Sequence, residues 1–494
     1  MAAQQYIGIT LGPISRIMTY TQSTKSLWGA SYFMSYLAKQ LIREFFGKRN
    51  FLKPQLQEAM WTIHDGVGRF PDQYIFESSQ GDFEKLLLQR KKILAAIGEE
   101  IAHTLGRKEK EEITRYLEDT IKIYILEMNQ WDPSRNIVEQ CQEALNTMEC
   151  RDCYPIRESY NYLADYFEKI HTSNLFMKDA FGEERSGYRL FKTIIECSAA
   201  EAVNKKLIQR DDLFKDEKVE LLPSAYKYIA FVSADGDNIG KALGKLGDKM
   251  SRLLLEYNKN IVQKVNKWGG QVIYSGGDDL LFFAPITSIF TLIAEIDESF
   301  NANLISSPEM LNILHEHNMP IPTLSFGISI SYYKHPMSES MKLSEELLQN
   351  AKDAGRNRIV WNVRKHSGQS IRSSFYKKDT DIFKTAIEII EISKIQPNDV
   401  FLHSVSHYLL QHQPVLNHIL SGVSPNKIKT GIENYMASTF EDGEHQKHDA
   451  SLQLFRHFLL SASTVEADKN EAIKKLHALL KFAELLISKK EKTI

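Results

Sequence analysis

Hydrophobic and polar positions along this chain follow two rhythms, and the middle third carries both in a readable order. Tyr228-Ile-Ala-Phe-Val232 is a continuous apolar run, which suits a strand buried on both faces. It leads into the acidic, glycine-punctuated stretch Asp235-Gly-Asp-Asn-Ile-Gly240. Residues 248–268 then place apolar side chains at helical spacing. Two short apolar runs follow, Gln271–Ser275 and Leu280–Pro285, on either side of Gly276-Gly277-Asp278-Asp279. Gly-Gly between apolar runs predicts a tight hairpin, because such a turn needs positive φ and glycine adopts it without strain. A second helical stretch over about 287–302 and the strand Leu324–Ile330 complete a β-α-β-β-α-β order. That order predicts the ferredoxin-like split motif, whose first and third strands are adjacent and antiparallel. The end of the first strand, at Asp235, is thereby expected beside the start of the third, at Asp279.

The flanking regions read more simply. Tyr6–Ile14 is a short strand stopped by Gly12-Pro13, and an amphipathic helix runs to about Phe46 with Leu27, Phe33, Leu37 and Leu41 facing inward. Residues 81–130 read as helical, with Leu86, Leu87, Ile93, Leu94 and Ile97 on recurring spacing and basic clusters on a solvated face. Residues 158–212 also read as mostly helical. Beyond about Ser373 the apolar spacing is that of a helical bundle through to the last residue.

Composition narrows the classes. With 61 Lys plus Arg against 63 Asp plus Glu in 494 residues, the chain is near neutral, so bulk charge does not mark a nucleic-acid binder. Four cysteines argue against a disulfide scaffold and for a reducing compartment. No leader-like start and no apolar run of about 18 residues occurs, which predicts a cytoplasmic protein with no membrane contact.

The candidate chemistry lies in the carboxylates. Adjacent Asp278 and Asp279 repel unless something neutralises them, and a divalent cation is the usual neutraliser. Bare backbone at Gly276 and Gly277 lets a triphosphate approach closely. Alone, Gly-Gly-Asp-Asp is most often a plain surface hairpin, and Asp-Gly-Asp-Asn lacks the register and distal Glu of a calcium loop. Together, in this topological order, they make a two-metal nucleotidyl-transfer site. His64-Asp65 reads as a local turn, so no DNase activity is expected. Cys150-Arg-Asp-Cys153 is the only Cys-x-x-Cys pair; four ligands close a structural zinc, so reduced thiols are favoured over zinc at Cys150 and Cys153.

Ala234-Asp-Gly-Asp-Asn-Ile-Gly240 followed by Ser275-Gly-Gly-Asp-Asp279 resembles the palm polymerase of the large subunit of type III CRISPR effector complexes. The amino-terminal Gly-Pro turn, Lys25-Ser-Leu-Trp28 and the Ser-Tyr helix after it, with Asp65–Phe76, are similar to the type III-B (Cmr) branch. The resemblance implies an α+β chain with two ferredoxin-like palms, a helical linker and a carboxy-terminal α-helical bundle. Its expected units are a catalytically silent first palm (1–80 with parts of 131–160), a mostly helical insertion (81–217), a catalytic palm (218–365) and a bundle (373–494). It implies Mg²⁺ (or Mn²⁺) on Asp235, the Gly236 carbonyl, Asp278 and Asp279, which are the catalytic set. Gly236, Asp237, Asn238, Ile239, Gly240, Ser275, Gly276, Gly277 and Lys352 are the implied nucleotide contacts; Asp237 is either a further metal ligand or an orienter of Asn238. ATP is the implied substrate, a cyclic oligoadenylate the product, and the partners are other III-B subunits, guide RNA and target RNA. Transfer of AMP to another acceptor such as S-adenosylmethionine is the alternative. A scaffold subunit with little turnover, or a stand-alone cyclic dinucleotide synthase, are the readings from other classes.

Overall fold

The computed structural model describes residues 4–12, 14–150, 160–171, 174–182, 191–240, 248–422, 424–440 and 448–488. Cys153 lies outside them, as does Pro13. Two sheets organise the chain. The first holds β1 (Gln5–Gly12), β2 (Phe51–Lys53), β3 (Gln73–Ser78) and β4 (Lys122–Met128) in the order β2-β3-β1-β4, every pair antiparallel. Helix α1 (Thr24–Ile42) joins β1 to β2. Its start is set by a reciprocal capping box between Ser23 and Ser26, which satisfies amide groups the helix cannot use itself. Helices α2 (Asp82–Leu105) and α3 (Lys110–Thr120) join β3 to β4. Residues 81–130 are therefore not helical throughout. Lys122–Met128 is the strand that closes this sheet, with Ile123 and Ile125 buried on one face. Its two-residue alternation is brief and follows directly on a long helical pattern, which masks it.

The second sheet has six strands in the order Ser370–Tyr376, Arg358–Arg364, Thr323–Tyr332, Tyr228–Asp237, Asp279–Pro285, Gln271–Gly276. Four contiguous strands at one side of it are β5 (Tyr228–Asp237), β6 (Gln271–Gly276, the edge), β7 (Asp279–Pro285) and β8 (Thr323–Tyr332). Helices α4 (Asp248–Lys267) and α5 (Ile289–Phe300) supply the crossovers. This is the expected β-α-β-β-α-β order, with β5 antiparallel to both β7 and β8. Helix α6 (Met337–Asp353) then leads into β9 (Arg358–Arg364), parallel to β8, and β10 (Ser370–Tyr376), antiparallel to β9. The sheet thus continues past Ser373, where the sequence pattern suggested helix.

Strand β5 is buried on both faces, as its unbroken apolar run requires. Ala230 and Val232 pack with Ile261, Ile293 and Phe282 beneath α4 and α5. Ile229 and Phe231 point the other way, into a core shared with Leu27, Phe33 and Leu37 of α1. The two units are also stitched by polar contacts: Ser31 Oγ donates to the Ile273 carbonyl at 3.1 Å, and Gly68 bridges Tyr274. Of the carboxy-terminal helices, Thr380–Ile395 and Lys469–Ile487 pack on the second sheet, and Asp399–Gln411 and Asp449–Val465 pack on those helices in turn. Phe482 of helix Lys469–Ile487 lies 5.3 Å from Phe290 and 5.8 Å from Trp361, ring to ring. No described helix is long and apolar enough to cross a membrane.

Candidate active site

The acidic residues meet at one end of the second sheet. Register places Ala234 opposite Leu280, so Asp235 and Asp279 are next neighbours across β5 and β7. The hairpin is a two-residue turn, Gly277-Asp278, with Gly277 at φ +62°. An amide-bearing side chain braces it from behind: Asn258 on α4 donates to the Gly277 carbonyl (3.1 Å) and accepts from Ser275 Oγ (2.8 Å).

Two glycines here are spatial requirements. A Cβ on Gly236 would lie 2.8 Å from Asp278 Oδ2, so the bare strand end makes room for that carboxylate. A Cβ on Gly276 would lie 2.3 Å from the Tyr274 hydroxyl, which occupies the space beneath the turn.

Electrostatics mark the cluster as unsatisfied. Burial, and then Asp235, push the Asp278 carboxyl up to about 6. Asp279 is pushed well above the ordinary carboxylate range by the same causes plus the charge of Asp278. Like charges at this spacing cannot all ionise without a counter-ion. One is provided: Lys352, in the last turn of α6, forms an ion pair with Asp235. Helix α6 comes this close because β8 carries Gly327, whose Cβ would sit 2.1 Å from the Ser344 carbonyl oxygen. Nothing in the sequence singled out Gly327; only the packed helix shows why it is needed.

The remaining candidates divide. Gly277 and Asn238 are exposed, Asn238 at φ +62°, and Gly240 has open space around it. Ile239 is 1% exposed and Ser275 is fully buried, so both serve the packing behind the cluster and not its open face. Asp237 is fully buried too, bonded to Thr323 and Ser325 of β8. Neither role assigned to it from sequence fits that placement. His64 lies against the Asp179 carbonyl at 2.6 Å, and Asp65 forms a two-pronged pair with Arg69. Cys150 is exposed and free, while Cys141 and Cys197 are buried. Among the described residues no three His, Cys, Asp or Glu side chains already converge as metal ligands; the aspartates stand open, with Lys352 on Asp235.

A cleft of about 610 Å³ lies between the two sheets and reaches the cluster at Asp279. Asp279, Tyr274 and Ser233 line it from the second unit, and Leu11, Asp72 and Glu149 from the first. Asp72 stands immediately before β3, as Asp278 stands immediately before β7, so the first unit also carries a carboxylate at this strand start.

Comparison with known proteins agrees with this architecture. Residues 228–360 match the family described as Cas10/Cmr2, second palm domain. The CRISPR system Cmr subunit Cmr2 of Pyrococcus furiosus is 27% identical over 206 residues, which is 33% of this chain and 22% of that protein. The corresponding subunit of Saccharolobus solfataricus is 28% identical over 110 residues, 20% of this chain and 10% of that protein. The matched stretch therefore spans about a fifth or less of these relatives. Among solved structures, a type III-B Cmr-beta complex in the apo state superimposes with a TM-score of 0.56 at 10% identity, covering 88% of this chain and 77% of that one. A Csm1-Csm4 cassette in complex with cA3 gives 0.54 at 13% identity, covering 98% and 70%. At such identities the structures speak for the fold alone. Over residues 228–360 this chain is similar to the second palm domain of Cas10/Cmr2 proteins, and the curated proteins it resembles are Cmr2 subunits of CRISPR systems.

Proposed function

We propose that the second palm is a metal-dependent nucleotidyltransferase that takes ATP and makes a cyclic oligoadenylate when the assembled complex binds target RNA. The observation that supports this most is the convergence of Asp235, Asp278 and Asp279 at one sheet end with Lys352 beside them. The proposed product class follows from a Csm1-Csm4 cassette of similar fold that was solved in complex with cA3. In this reading the chain works with other III-B subunits, guide RNA and target RNA, and the first palm forms the far wall of the cleft.

The donor set suits Mg²⁺ or Mn²⁺: hard carboxylate oxygens crowded at one sheet end, where a divalent cation relieves the repulsion that raises Asp278 and Asp279. When bound, such ions polarise the attacking hydroxyl and neutralise the leaving pyrophosphate. The chain's own residues do the rest. Asp235, Asp278 and Asp279 would serve as the ligands. Lys352, released from Asp235, turns its ammonium to the triphosphate, a task suited to a flexible point charge. Gly277 offers exposed backbone for close approach. An acceptor hydroxyl attacks the α-phosphorus, its proton passes to solvent, and the bond to pyrophosphate breaks as pyrophosphate leaves.

One observation favours a second acceptor. The cleft also presents Asp119, Glu149, Glu345 and Asp72 against Arg16 and Lys122, an excess of negative charge. A second triphosphate meets repulsion there, whereas a cationic acceptor such as S-adenosylmethionine is attracted. Product analysis with labelled ATP, with and without S-adenosylmethionine, separates the two. Products lost in Asp278→Ala/Asp279→Ala support transfer; no product in the RNA-bound complex leaves a scaffold subunit.

A further inference from the structure

The strand that carries Asp235 carries a second carboxylate two residues on, and the two make different contacts. Asp237 has no solvent-exposed side-chain surface. Its Oδ2 accepts from Thr323 Oγ1 (2.7 Å), Ser325 Oγ (2.8 Å) and the backbone amide of Asn357 (3.0 Å). Its Oδ1 lies 3.0 Å from Ser325 Oγ and 4.0 Å from Arg356 Nε. The buried ammonium of Lys377 adds a second positive charge on this side. Oδ2 is thus fully engaged, and Asp237 is not among the residues that line the cleft.

The bond to Asn357 is the informative one. Gly355, Arg356 and Asn357 form the turn after α6, with φ of +106°, +64° and +50°. Three consecutive residues in the left-handed region, two of them bearing a Cβ, persist only where the surroundings hold them. Asn357 is held twice: its amide donates to Asp237, and its carbonyl accepts from the Lys377 amide at 2.9 Å. The same turn closes the helix, Arg356 N donating to the Ala351 carbonyl and Gly355 N to that of Lys352. Strand β5 thus grips the end of α6 at two points, Asp235 through the Lys352 side chain and Asp237 through the turn behind it.

We propose that Asp237 is a positioning residue: it fixes the strained Gly355–Asn357 turn so that Lys352 points at Asp235 and, on nucleotide binding, at the triphosphate. This rests on the nucleotide-transfer reading and adds to it which residue sets its lysine. The test is a double-mutant cycle on the full chain, Asp237→Asn against Lys352→Ala, read by calorimetric titration with Mg²⁺ alone and then with Mg²⁺ plus α,β-methylene-ATP. Each single variant is expected to weaken the analogue about tenfold, the scale of one charge-assisted contact. The double variant is expected to be no worse than Lys352→Ala, because residues acting through one another do not add. Affinity for Mg²⁺ alone is expected to stay within about twofold in Asp237→Asn. A loss of Mg²⁺ affinity of about tenfold would make Asp237 a ligand, and multiplicative losses would make it independent of Lys352; either overturns the proposal. Ser325→Ala, which keeps the carboxylate, is the milder variant should Asp237→Asn fold poorly, and its smaller loss must likewise vanish in the Lys352→Ala background. A wild-type chain that binds neither Mg²⁺ nor the analogue overturns the nucleotide reading itself; wild-type binding with a multiplicative cycle overturns only this inference.

Discussion

Asp278→Asn is expected to stabilise the metal-free protein while destroying its response to Mg²⁺. The Asp278 carboxyl is raised from 3.8 to about 6, chiefly by burial and then by Asp235. Two pKa units correspond to about 3 kcal/mol, and partial solvent access at the turn places the realised effect at about 2–3 kcal/mol. A carboxyl raised on folding keeps a proton that the unfolded chain releases. Its contribution therefore favours the fold below pH 3.8 and is lost as pH rises toward 6. Asparagine has no such proton, so the variant should lack that downward step. The assay is calorimetric or denaturant unfolding in chelator between pH 4 and 8, repeated with Mg²⁺. At pH 7.5 the metal-free variant should exceed wild type by about 2–3 kcal/mol, with the gap closing toward pH 4. Added Mg²⁺ should raise wild type and leave the variant nearly unmoved. A variant less stable than wild type at pH 7.5, or one that keeps the wild-type pH slope, would refute the reasoning that this carboxylate is held charged at a cost.

Three further outcomes follow from the packing. Gly327→Ala places a methyl against the α6 backbone and should cost about 1–3 kcal/mol by overpacking, with analogue affinity falling because Lys352 is pushed outward; binding and unfolding measured together check this. Gly236→Ala should displace Asp278 and lower Mg²⁺ affinity by about tenfold with little change in far-ultraviolet circular dichroism. Neutralising the cleft with Asp72→Asn plus Glu149→Gln should shift competition between acceptors toward ATP and away from S-adenosylmethionine by about tenfold, read as product ratio.

Much of the second palm was legible because its signals are local. A continuous apolar run, a Gly-Gly turn between two strands and helical spacing on either side define the β-α-β-β-α-β order, and that order alone brings Asp235 to Asp279. Lys352 was reached by resemblance, and it pairs with Asp235. What stayed hidden depends on partners distant in sequence. Asp237 looks like a metal ligand beside Asp235 until Thr323, Ser325 and Asn357 are seen to enclose it. Gly327 is an ordinary strand glycine until α6 lies on it. Ile239 and Ser275 sit inside acidic motifs, yet their side chains turn to the core. Strand β4 escaped because Lys122–Met128 shows a short, half-polar alternation directly after a helix.

The central claim, that the second palm transfers adenylyl groups, is tested most directly by mass analysis of products formed from ATP by the RNA-bound complex with Mg²⁺. Cyclic oligoadenylate, or an adenylylated acceptor when S-adenosylmethionine is supplied, should form with wild type and vanish with Asp278→Ala/Asp279→Ala. Unchanged ATP with wild type, while target RNA is demonstrably bound, would contradict it.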